Sequence, residues 1–302
     1  LYIMIISMVI LSSSCGNNPV ELKKPEFPQM ALALDIDKAE LDIQLTDTAL
    51  ESELPVYRVS NTEMSESKVN RLLSVFGFTG PMKAIGKDIS NRTQTTYTEG
   101  DKELRIINDG NYVYLDHQYC EDIAVSLSDE EVKRQAEEFL RDNDLLPDGF
   151  SVGGVGYSTI ETSVDPEPII IEKTVGFFRK IDGHDVYGHS DITVTYNENG
   201  IVAVYSVYNN YELDCVMECK TLEEAQAEIL SSDSWISYDA KEFGRAKKIQ
   251  ITECEIVYYD KANTASGFIQ PCIAFIGTII DEKGNSTEFS STVPALKEEC
   301  YK

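Results

Sequence analysis

Three stretches of the chain set apolar residues three and four apart, each behind a residue suited to cap a helix. The first begins near Ser65 and aligns Val69, Leu72, Leu73 and Phe76 on one face, with Gly77 as its stop. The second begins at Ser128, whose capping-box partner is Glu131, and carries Val132, Ala136, Phe139 and Leu140. The third begins at Thr221, capped with Glu224, and shows Leu222, Ala225 and Ile229. After each helix the period drops to two and turn residues intervene. Residues 103–107 and 111–115 flank Asn108-Asp109-Gly110, a tight-hairpin signal. Residues 173–180, 191–196 and 201–208 follow the second helix, the last two joined through Asn197-Glu198-Asn199-Gly200. Residues 248–259, 270–280 and 286–293 follow the third. This order predicts an α+β protein of about three repeated units, each one helix packed on an antiparallel sheet, at 54–125, 126–214 and 215–302. No strand, Gly-rich loop and helix follow one another in the Rossmann manner, so a dinucleotide-binding domain is not expected.

Ahead of these units stands an uncharged apolar run, residues 1–11, too short to span a bilayer and similar to the core of a signal peptide. Three serines then lead to Cys15, followed by Gly-Asn-Asn. The arrangement resembles a bacterial lipoprotein signal. It implies removal of residues 1–14, lipid on Cys15, and a protein held on the extracytoplasmic face of the cell membrane; the alternative is an ordinary secretory leader. Residues 15–53, with Pro19, Pro25, Pro28 and an acidic stretch, read as a tether. Within it Leu32, Leu34 and Ile36, then Leu41, Ile43 and Leu45, alternate as a docked strand would.

Hydrophobic residues make up 42% of the 302, enough to bury a sizeable core. The net charge of −26 argues against nucleic acid and against anionic headgroups, and favours a basic protein patch or a cation. Six cysteines follow Cys15: Cys120, Cys215, Cys219, Cys254, Cys272 and Cys300. Their spacing matches no disulfide framework, although Cys215 with Cys219, and Cys254 with Cys272, are candidate pairs; buried thiols are the expectation for most.

Any metal or triad chemistry would pass through His117, His184 and His189. His184 and His189 flank Asp185 at a spacing zinc sites do not favour, and His117 with Cys120 has no second pair to match. Gly156-Tyr157-Ser158 lacks the closing glycine of a nucleophile elbow. No catalytic residue, metal or cofactor is therefore expected. Tyrosines offer one functional signal, beside the plain reading that tyrosine simply favours strands. Tyr187, Tyr196, Tyr205, Tyr208 and Tyr211 gather around one hairpin, and alternation sets Tyr205 opposite Tyr208. A row of such rings can grip an extended peptide or a glycan. Tyr187, Tyr205, Tyr208, Tyr211, Arg179, His184 and His189 form the candidate binding surface.

Four local patterns carry a family resemblance: Leu54-Pro-Val-Tyr-Arg-Val59, the segment Gly176 to Gly188 with its Arg179-x-Ile-Asp-Gly183 turn, Gln270-Pro-Cys-Ile-Ala-Phe-Ile-Gly277, and Thr292-Val-Pro-Ala-Leu296. The chain resembles the PepSY-like and YycI/YycH-like extracytoplasmic proteins of Gram-positive bacteria. The resemblance implies PepSY-like or cystatin-like modules with sensing, inhibitory or partner-binding roles, and no catalytic residue. The partner it implies is another envelope protein, such as a sensor kinase or a peptidase. A solute- or glycan-binding lipoprotein is the rival reading, and an unrecognised hydrolase the third. Metabolic palmitate labelling tests the anchor: the wild type incorporates label and Cys15→Ser does not, whereas equal labelling of both removes Cys15 as the lipid site.

Overall fold

The predicted helix starts are built as the sequence wrote them. In the computed structural model, which describes residues 22–28, 36–45, 50–118, 123–161, 168–239, 244–261 and 267–301, helix α1 spans Glu66–Val75, α2 Asp129–Asp142 and α3 Leu222–Gln226. Ser65 Oγ accepts the Lys68 N–H at 3.3 Å and Ser128 Oγ the Glu131 N–H at 3.3 Å, satisfying donors that a helix start leaves open. Thr221 and Glu224 form a reciprocal capping box. Gly77 closes α1 at φ +70°, and Phe78 N–H returns to Leu73 O at 2.8 Å.

In chain order the strands are β1 Glu40–Ile43, β2 Glu53–Val59, β3 Met82–Lys87, β4 Thr93–Glu99, β5 Lys102–Ile107, β6 Tyr112–Asp116, β7 Phe150–Ile160 and β8 Ile169–Ile181. They continue with β9 His184–Gly188, β10 Asp191–Asn197, β11 Gly200–Val207, β12 Tyr211–Glu218, β13 Trp235–Tyr238, β14 Ala246–Asp260, β15 Phe268–Asp281 and β16 Ser286–Pro294. The expectation of about three units, each one helix on its own antiparallel sheet, is corrected by this inventory. Of the described residues 53% lie in strands against 14% in helices, and the sheets are mixed rather than purely antiparallel.

The described residues fall into two compact units. Unit 2, residues 59–211 with 257–264, orders its strands β9-β8-β10-β11-β6-β5-β4-β3, with β7 on the other edge of β8. Residues Val257 to Asp260 of β14 run parallel to β9. The decisive contact is β6 against β11, where Tyr112 to Leu115 pair antiparallel with Ser206 to Ala203. That ladder joins the hairpin after α1 to the strands after α2, so the two helices cover one sheet instead of two. Phe76 shows the consequence. Its ring stacks on Tyr114 of β6 at 4.1 Å and lies 6.1 Å from Phe139 of α2. Leu72, Val132, Ala136 and Leu140 enter the same core as Leu104, Phe177, Val194 and Val204.

Unit 1 draws on residues 1–58, 212–256 and 265–302. Its strands run β12-β2-β15-β14, with β16 beside β15, β13 beside β16, and β1 parallel to β14. Leu41 and Ile43 of β1 pack against its core, so the second half of the alternation seen in the expected tether docks a short strand, whereas Ile36 begins a 3-10 turn and Leu32 and Leu34 lie outside the described residues. Leu22 and Ile36 are also buried there, at 0% and 1% exposure, and these described residues are packed rather than hanging free.

Leu140 is fully buried, whereas Phe139 beside it is only half-buried. Leu140→Ala is expected to cost about 2–5 kcal/mol in a urea melt, and Phe139→Ala less. A loss under about 1 kcal/mol for Leu140→Ala would show that this helix face does not seal the unit 2 core.

Candidate functional site

The residues that sequence reasoning grouped around the middle hairpin divide sharply once placed. Arg179 on β8, Tyr208 after β11 and Tyr211 at the start of β12 come together, joined by Phe150 at the start of β7. The Arg179 guanidinium carbon lies 4.3 Å from the Tyr211 ring centroid, 5.6 Å from Phe150 and 5.9 Å from Tyr208. Stacking of this kind contributes about 0.5–2 kcal/mol per close ring, more as water is excluded. Arg179 Nη1 also donates to the Asn209 carbonyl. Phe150 and Tyr208 meet edge-on at 5.4 Å.

This group closes on Asp260, fully buried at 0% exposure. The Tyr211 hydroxyl donates to its carboxylate, and Asn209 Nδ2 donates to both oxygens at 2.7 and 3.0 Å. The His189 N–H donates to the Asp260 carbonyl at 2.9 Å. Gly188, at φ +103°, admits that close approach, since a Cβ there would stand 2.0 Å from the Asp260 oxygen. Burial raises the Asp260 carboxyl above the ordinary carboxylate range, against the opposing pull of Tyr211, Asn209, Arg179 and His189. Burial likewise raises the Tyr211 hydroxyl, and the adjacent carboxylate adds to the effect. Asp191 is raised by burial and eased by His189. With its donors in place, the cluster fastens Val257 to Asp260 onto unit 2.

The other candidates lie elsewhere. Tyr205 is 42% exposed, on the face of β11 opposite Val204 and Ser206. Tyr187 is half-buried in β9 and stands beside Tyr259 in the parallel ladder. The His184 ring lies 6.2 Å from that of Tyr258. The His117 N–H donates to the Asp101 carbonyl at 2.9 Å. Among the described residues no three His, Cys, Asp or Glu side chains converge as metal ligands would. No disulfide joins Cys215, Cys219, Cys254, Cys272 or Cys300. Cys215 and Cys219 follow an extended path, about 13 Å apart by strand rise, too far to bridge. Cys15 and Cys120 lie outside the described residues.

A different surface escaped the sequence. Strand β3 pairs only with β4, and all its residues are exposed, Met82 at 75% and Ile85 at 71%. Beside it a groove of about 730 Å³ runs between α1 and strands β3 to β5, lined by Glu63, Glu66, Val69, Leu73, Ile85 and Tyr97 among others. The short run Met82-Lys-Ala-Ile-Gly-Lys87 and the threonine-rich β4 carry too little apolar alternation to be read as strands, so neither edge nor groove was legible. No known family model matches this chain, and no curated protein matches it significantly.

Asp260→Asn keeps the side-chain shape and one accepting oxygen while removing the charge. Because folding raises the Asp260 pKa, the carboxyl's stabilising contribution is complete below its unfolded value near pH 4 and is lost as pH rises through the folded one. Stability of Asp260→Asn relative to wild type should therefore improve steadily from about pH 4 toward neutrality in urea melts. A difference that stays flat across that range would show that Asp260 is ionised in the fold at no cost.

Proposed function

We propose that this chain is a binding or regulatory protein of the bacterial envelope, held by lipid on Cys15, that acts on another envelope protein by adding an extended segment of it to the β3 edge. The observation that carries this reading is the unpaired, exposed edge of β3 with a groove alongside. An open edge presents unused N–H and C=O groups to any extended chain, and side-chain pockets beside it supply selectivity. Ile85, Val69 and Leu73 offer apolar contact in that groove, while Glu63 and Glu66 place negative charge near α1 and Lys83 places positive charge on β3 itself. The fitting occupant is an extended segment in which apolar residues alternate with charged ones, basic toward Glu63 and Glu66 and acidic toward Lys83. The resemblance to PepSY-like proteins suggests a sensor kinase or a peptidase as the owner of that segment.

A photo-crosslinking residue placed at Ile85, in cells, identifies the partner. Binding to the purified partner should then weaken at least tenfold in Ile85→Asn, with the melting temperature nearly unchanged because the position is exposed. Glu66→Gln should weaken binding less and flatten its salt dependence. Binding that survives Ile85→Asn but is lost in Tyr205→Ala would move the functional surface to the tyrosine face.

A further inference from the structure

Main-chain direction alternates along β3, and the alternation fixes which of its residues meet an added strand. The Asp88 N–H donates to the Arg92 carbonyl at 3.0 Å, and these two stand directly opposite in the register that sets Met82 against Thr98. Opposed residues of an antiparallel ladder are bonded and unbonded by turns. Gly86, Ala84 and Met82 therefore spend their main-chain groups on β4, and Lys83, Ile85 and Lys87 turn theirs outward. The next ladder agrees, since Thr93, opposite Lys87, gives its carbonyl to the Asn108 N–H at 3.0 Å. Pro81, next in the outward row, has no N–H and ends it. Among the described residues no strand besides β4 pairs with β3.

Side chains alternate with the same period. Lys83 and Ile85 line the groove beside α1, so the residues that would bond an added strand also meet its groove-facing side chains. The groove is charged unequally along its length. Toward the Met82 end, the Lys83 ammonium stands 5.7 Å over the Tyr97 ring and forms no ion pair among the described residues. Toward the other end, Glu63 and Glu66 line the groove with Thr93 and Asn108, and Glu63 also borders an adjoining hollow with Asp109 and Gly110. Lys87 belongs to that end, where its ammonium donates to Thr93 Oγ1 at 2.9 Å and is outnumbered by the two carboxylates. One end thus suits an anion and the other a cation, with Ile85 and Leu73 between them.

We propose that the β3 edge takes a segment laid antiparallel, the stronger ladder, whose groove-facing residues read basic, polar, apolar, acidic from its N-terminus. The acidic residue opposes Lys83, the apolar one Ile85 and the polar one Lys87, and the basic one reaches past Lys87 toward Glu63 and Glu66. This rests on the β3 edge being the binding site. The net charge of −26 acts on the partner's approach, but at contact the order of charges decides, because salt confines each exposed charge to about 8 Å.

Two peptides of identical composition separate the order of charges from their sum: acetylated, amidated Arg-Thr-Gln-Thr-Val-Thr-Glu-Thr, and the same peptide with Arg and Glu exchanged. Both are titrated into the full chain at physiological salt by protein-observed NMR. The first should bind with a Kd at or below about 1 mM, and about fivefold or more tighter than the second, since opposed unlike charges attract and like charges repel. Its binding should slow hydrogen exchange at the Lys83, Ile85 and Lys87 amides, whereas those of Ala84 and Gly86 are the slower ones before it is added. Lys83→Glu, at an exposed position, should bring the two peptides within about twofold, with the melting temperature nearly unchanged. Equal affinity of the two for the wild type, new protection at Ala84 instead of Ile85, or a preference that survives Lys83→Glu would overturn the charge order and leave the edge as a binding site. Binding of neither peptide overturns the inference as well, and if Ile85 also captures no partner in cells the edge falls with it.

Discussion

The antiparallel ladder between β6 and β11 governs unit 2, because it joins segments about ninety residues apart and leaves the sheet no internal edge there. Were β6 an edge, the hairpin after α1 would need its own helix cover. Because the strand is paired, α1 and α2 share one apolar floor, with Phe76 held between Tyr114 and Phe139. The same ladder brings Tyr112 beside Ser206 under α1 and fixes where Tyr208 emerges. One unpaired edge of unit 2 moves outward to β3, four strands along from β11, and β7, which pairs only with β8, leaves the other. Core and edges thus follow from one set of main-chain pairings.

Those pairings explain what could be read beforehand. Helix starts were legible because a cap acts over three residues, and Ser65, Ser128 and Thr221 each accept a backbone N–H three residues on. The β5 to β6 hairpin and the long strands β14, β15 and β16 were legible because turn chemistry and period-two patterning are also local. Which strand edge meets which is not local, so nothing in residues 111–115 announced residues 203–206 as partners. The number of sheets was lost for that reason. The side-chain cluster around Arg179 was partly legible in the same sense. The structure does bring Arg179, Tyr208 and Tyr211 together, yet Asp260, 49 residues beyond Tyr211, gave no sign of being what they close upon. Strand β7, whose Gly153, Gly154 and Gly156 interrupt any apolar alternation, was not among the expected strands, and Phe150 was missed with it.

Charge within the two units follows a consistent economy. The few buried lysines are matched closely: Lys173 by Asp129 at 2.8 Å and the Leu127 carbonyl, Lys220 by Glu228 at 2.7 Å and the Pro294 carbonyl. On α2, Arg134 bridges Glu131 and Glu138, and Arg141 pairs with Glu137. Exposed pairs of this kind add little stability individually. They leave the net charge of −26 unchanged, and that acidic excess steers basic partners.

The division of the chain bears on the order in which the molecule is made. Unit 2 takes 59–211 as one uninterrupted stretch and adds only 257–264, while unit 1 gathers segments from either side of it, down to the parallel bridge of Leu22 with Tyr301. A chain emerging from its N-terminal side can collapse β3 to β11 around α1 and α2 before most of unit 1 exists. Leu22, Ile36 and β1, synthesised early, must stay without their partners β14 to β16 until the late residues arrive, a long loop closed last. The Tyr211 to Asp260 contact then falls at the changeover, completing the older unit as the younger one begins to assemble.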